Sequence, residues 1–113
     1  MAKFALSALA AGLLLAWPTV PAFADDTGVA QLLHSLRREG KRLCLEDHFH
    51  SGSSSGAASR KAAEIEAVRA WAEFTAFEYG TDWAQWTRAA SKRLDCSQGG
   101  ASWSCQAEAR ACK

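Results

Sequence analysis

The sequence predicts an α+β domain: an N-terminal helix, a strand, then a long central helix packed on a small antiparallel sheet that ends in a hairpin. Three observations carry this reading. Apolar residues recur at helical spacing between Ser59 and Tyr79, they alternate with period two between Lys41 and His50, and Gly99-Gly100 separates two short runs bearing Cys96 and Cys105.

Before the domain comes a leader. Lys3 supplies a positive start, Ala5 to Trp17 is free of charge, Pro18 and Pro21 break any helix, and Ala22-Phe23-Ala24 precedes Asp25-Asp26. Charge, apolar run, breaker and small-x-small site, in that order, are the features of a cleavable export signal. The apolar run is shorter than the ~20 residues a membrane anchor needs. Cleavage is expected after Ala24, giving a signal peptide over 1–24 and a single small domain over 25–113, outside the cytoplasm in the periplasm or secreted. The protein carries 13 Lys and Arg against 12 Asp and Glu, and loss of Lys3 balances them. A neutral domain has no electrostatic reason to bind nucleic acid or an anionic membrane.

Within the domain, Asp26 to Glu39 places Val29, Leu32, Leu33 and Leu36 three and four apart, one apolar face of a helix, with Gly40 as its stop. Lys41 to His50 alternates through Leu43, Leu45 and Phe49, as a strand does. Ser51 to Ala57 reads as a flexible glycine-serine loop; it lacks the lysine and spacing of a phosphate-binding loop. Ser59 is a good N-cap for a helix that runs to Tyr79 and stops at Gly80. That helix has two apolar arcs. Ile65, Val68, Ala72, Ala76 and Tyr79, with Trp71 at the edge, are expected to lie on the sheet. Ala63, Ala67, Ala70, Phe74 and Phe77 are expected to receive the N-terminal helix or a second copy of the chain. Asp82 caps a short helix, or opens a strand, carrying Trp83 and Trp86; Lys92–Ser97 and Ser102–Gln106 form the hairpin, with Leu94 and Trp103 contributing to the core.

Cys44, Cys96, Cys105 and Cys112 all follow the cleavage site. An even number in a small exported domain reads as two disulfides, and the absence of C-x-x-C argues against a thioredoxin-like or zinc-ribbon site. A four-residue loop over Gly99–Ser102 sets Cys96 opposite Cys105, leaving Cys44 to Cys112; a loop of Gly99-Gly100 alone sets Cys96 opposite Trp103 instead. The first arrangement is favoured. Roughly a third of the unfolded surface of so small a domain stays exposed on folding, so crosslinks matter to its stability.

Two groups of residues are candidates for function. Asp47, His48 and His50 stand close to Cys44; on a strand the two imidazoles share a face, as two ligands of one zinc or copper ion would, and His34 joins them only if the N-terminal segment folds back. Flanking a buried Phe49 is the plainer role for the histidines. The tryptophans are expected first to build the core; the functional alternative is an exposed aromatic platform that meets a glycan or a partner protein, with Trp83 and Trp86 best placed for it. Hydrolytic chemistry finds less. Ser53, Ser54 and Ser55 lack the G-x-S-x-G elbow, and Glu64, Glu66, Glu73 and Glu78 lie on the polar margins of a helix beside Arg60 and Arg69. A non-enzymatic binding or structural protein without cofactor is therefore expected first, a metal-binding protein using His48 and His50 second, and a small envelope hydrolase third.

Three segments carry a resemblance: His48-Phe49-His50 running into the glycine-serine stretch to Gly56, Ala70-Trp71 through Phe77-Glu78-Tyr79-Gly80, and Trp103-Ser104-Cys105 through Cys112. From His48 to the C-terminus the chain resembles a group of small exported alphaproteobacterial proteins of unknown function. The resemblance implies export and a disulfide-bonded domain, and it supplies no activity. Ala111 stands where that group is expected to have proline.

Overall fold

A computed structural model describes residues 34–113. The leader and the first part of the expected N-terminal helix lie outside the described residues. Element order is β1 (Leu36–Glu39), β2 (Arg42–Leu45), β3 (His50–Ser53), α1 (Arg60–Tyr79), a 3₁₀ turn (Thr81–Trp83), β4 (Ala90–Gly99) and β5 (Ser102–Arg110). The fold is α+β, with one helix and two small antiparallel sheets among the described residues, β1-β2 and β3-β5-β4.

The last turn expected of the N-terminal helix is a strand instead. Gly40 adopts φ 61° at the first position of a two-residue loop, so Glu39 pairs with Arg42 and Leu36 with Leu45. Only glycine takes that backbone without a steric cost, and hairpin loops need it. Arg37 and Glu39, two apart, share a strand face and form a 2.6 Å ion pair. The strand expected over Lys41–His50 is split: β2 ends at Leu45, and pairing resumes only at His50.

The glycine-serine stretch is also more regular than expected. His50 to Ser53 form β3, paired with β5 so that His50 faces Ala109 and Gly52 faces Ala107. A Cβ on Gly52 would lie 2.7 Å from Trp71 Cα and closer still to Trp71 N and Ala67 O. The missing side chain is thus what lets α1 rest on β3. Cys105, Ala107 and Ala109 present an equally low surface on β5, and all three are buried.

That flat sheet decides which side of α1 is covered. Its capping is as expected, with Ser59 Oγ accepting from Ala62 N at 3.1 Å and the Gly80 N–H donating to Ala76 O at 2.9 Å. Its buried stripe, however, is Ala63, Ala67, Trp71, Thr75 and Tyr79, spaced by four, drawn from both expected arcs and adding Thr75, which neither contained. Ile65, expected on the sheet, is exposed, as are Phe74 and Phe77, the last at 88%. A sheet of glycine and alanine accepts alanines at close range; branched side chains at the interface would hold the helix away.

β4 and β5 form the expected hairpin with longer strands. Cys96 pairs with Cys105 and Gly99 with Ser102, leaving Gly100-Ala101 as the turn. Beyond β5 the chain continues onto β2, where Leu43 and Lys113 exchange backbone hydrogen bonds of 2.8 and 2.9 Å. The bonds Cys44–Cys112 and Cys96–Cys105 tie these ladders together, and no described cysteine is free. No helix among the described residues is long and apolar enough to cross a membrane. Two disulfides and that observation are consistent with an exported protein.

Candidate metal centre

His50 is the first residue of β3, and its ring points under the last turns of α1, where it is 2% exposed. Phe49, one residue earlier, points the other way and is 45% exposed. The expected arrangement, a buried phenylalanine between partly exposed histidines, is therefore inverted at this pair. The cause is the register against β5, which turns His50 and not its neighbour toward the helix.

The ring is held from both sides. Tyr79 stacks on it with centroids 4.9 Å apart at 25°, and Phe74 lies 4.9 Å away on a tilted plane. Thr75, fully buried one turn before Tyr79, donates its hydroxyl hydrogen to Trp71 O at 2.7 Å. Its Oγ1 stands 3.1 Å from His50 Nδ1. Since Thr75 has spent its one hydrogen, Oγ1 can only accept, and Nδ1 must carry the proton. The lone pair of the neutral ring is then on Nε2.

That nitrogen lacks a hydrogen-bond partner among the described residues, although Glu78 Oε2 is only 2.7 Å away. The contact is an ion pair only when the imidazole is protonated. Burial pushes the His50 imidazolium down, with His48 and His34 adding to it and the Glu78 carboxylate opposing; the net direction is down. A buried imidazole beside a carboxylate is a donor pair that a cation could share.

His48 reaches the same point from the segment between β2 and β3. Its ring centroid is 4.9 Å from that of His50, edge-on. Burial, and after it His34, lowers its pKa as well. Ligand atoms of His48, His50 and Glu78 all lie within 4.8 Å of one another. Groups bound at ~2.0–2.2 Å to one ion stand about 3–4 Å apart, so side-chain adjustments of an ångström or less would close the set. The Thr75 contact is the outer support that metal-bound histidines require on their second nitrogen.

The structure brings together His48 and His50 as the sequence suggests, and it adds Glu78. Asp47 does not join them. It lies, exposed, on a cavity of about 230 Å³ with His34, Ser35 and His48, and the carboxylate of the set comes from α1 instead. Glu78 reads in sequence as one more charge on a helix margin; only the docking of α1 on β3 puts it over His50. Thr75 and Tyr79 have the same origin. A second cluster, Glu39 with Cys44 and Cys112, offers no thiolate because the two sulfurs are bonded to each other.

The other candidate residues sit elsewhere. Trp83 is fully buried, and Trp86 is half-buried with its ring 5.1 Å edge-on to Trp71. Both pack in or against the core, the role expected first for the tryptophans, and buried Trp83 offers no exposed platform. Ser54 Oγ donates to Ala63 O at 2.7 Å and accepts from Cys105 N at 3.1 Å, which commits it to joining β3, α1 and β5. Glu64 is paired with Arg60 at 3.1 Å. Nothing in the fold or the comparisons points to enzymatic activity. Comparison with family models, with characterised proteins and with solved structures finds no match, so the likeness to exported alphaproteobacterial proteins rests on the quoted residues alone.

Proposed function

We propose that this chain is an exported metal-binding protein of the periplasm or extracellular space, holding one borderline divalent ion between His48, His50 and Glu78. A single observation carries the reading: the buried His50 Nε2, without an aligned hydrogen-bond partner among the described residues, faces a carboxylate and a second imidazole while Thr75 fixes the opposite nitrogen. Imidazole and carboxylate together suit zinc or copper(II). Reduced copper would need thiolate or thioether donors. The only methionine is Met1 and the described sulfurs are tied in disulfides, which supports the divalent choice.

The test is calorimetric titration of zinc into oxidised protein carrying no histidine tag. One ion per chain is expected. His50→Ala and Glu78→Gln should weaken binding by roughly a hundredfold or more, beyond what loss of an outer-shell contact costs. Unchanged near-ultraviolet circular dichroism would show that both variants remain folded. Absence of stoichiometric uptake of both zinc and copper(II) would discard the proposal.

A further inference from the structure

Three protein ligands leave a tetrahedral ion one position short, and that position is either water or a fourth side chain. We propose that His34 fills it, giving a closed zinc site of three imidazoles and one carboxylate; this rests on the metal-binding reading above.

The backbone places His34 there. Leu36 pairs with Leu45, and Ser35 O accepts from Glu46 N at 2.9 Å. The residue just before β1 is thereby folded against the segment just after β2. The His34 ring stands 4.2 Å from that of His48 and 5.9 Å edge-on from Tyr79. Its nitrogens lie outside the mutual 4.8 Å spacing of the other three donors, so ligation requires the half-buried ring to turn about its own side-chain bonds.

Two alternatives on the open side of His48 are weaker. Ser35 is a poor zinc ligand when neutral. Asp47 lines the same cavity but is exposed, where a carboxylate is solvated without any ion. His34 alone among the cavity-lining neighbours of His48 supplies the borderline nitrogen that zinc favours. A site closed by protein on all four corners stores or carries its ion and leaves no corner for an activated water.

X-ray absorption at the zinc edge counts bound imidazoles through their outer-shell scattering. With one equivalent of zinc on the untagged chain, three are expected. His34→Ala should reduce the count to two and weaken binding by roughly tenfold or more, whereas Asp47→Asn should change neither. Stoichiometric zinc with two imidazoles in the unaltered protein overturns the fourth ligand and leaves the three-residue site standing. So does His34→Ala that binds as tightly as the parent, or a loss that follows Asp47 in place of His34. Failure of zinc to bind the unaltered protein removes both readings together.

Discussion

His50 is asked to be buried and to remain a base, and the residues around it meet those demands separately. Tyr79 and Phe74 exclude water from its faces, while Thr75 accepts a hydrogen bond from Nδ1–H and so leaves the lone pair on Nε2. Thr75→Val should therefore keep the fold yet weaken zinc binding by about 10–100-fold in a titration, the range for an outer-shell partner. The metal-free protein should also respond to acid. His48 and His50 titrate lower folded than unfolded, where imidazole lies near ~6.5. As pH falls through that value the unfolded chain binds protons first, so stability declines toward the lower folded values and is flat above about pH 7 on their account. Urea midpoints at pH 7.5 and 5.5 should differ in that direction, and the difference should shrink when both histidines become glutamine. The pairing of these two rings was legible because alternation alone puts them on one side. Glu78 was not, because its role depends on a contact between residues far apart in sequence.

At the level of elements, α1 shows which signals survive folding. Its ends are written locally, in Ser59 and Gly80, and the chain begins and stops the helix there. Its covered side is not local. It follows from Gly52, Ala107 and Ala109, which make the opposing surface shallow enough for Ala63 and Ala67. Gly40 illustrates the same limit, since a glycine after an apolar run ends a helix or turns a hairpin equally well. The two sheets are joined by another non-local device. Arg110, at the end of β5 and 6% exposed, donates to Leu45 O and to Glu39 Oε1, each at 2.7 Å. Hydrogen bonds from Arg37, then Arg110, hold the Glu39 carboxyl below its usual range. Glu39→Gln should cost about 2 kcal/mol in denaturant unfolding, less than for a wholly buried pair because Glu39 keeps some solvent contact. The contribution is present above the unfolded carboxylate pKa near ~4.3 and disappears as pH drops through the lower folded value.

For the whole molecule, the two crosslinks differ in what they constrain. Cys44–Cys112 spans 68 residues and Cys96–Cys105 only 9. Loop-closure entropy gives about 4 kcal/mol for the first and about 2.5 kcal/mol for the second. Replacing Cys44 and Cys112 by serine should accordingly lower the unfolding midpoint more than replacing Cys96 and Cys105, as scanning calorimetry would record. Sequence counts the sulfurs but only the strand register says which pair meets. The long crosslink also holds β2 against the tail, and β2 leads directly into His48. Its removal should loosen zinc as well as the fold, while removal of the short one should spare the metal.

Gly52 acts as the stop of a caliper whose jaws are His50 and Glu78. It contributes no donor atom, yet the gap between helix and strand is set where its side chain would have been. An alanine there is a wedge: it pries α1 upward near Trp71 and opens the jaws about two turns farther along. Ion affinity in Gly52→Ala should therefore fall further than its melting temperature would suggest, which makes a residue with no coordinating chemistry a dial for how tightly the ion is gripped.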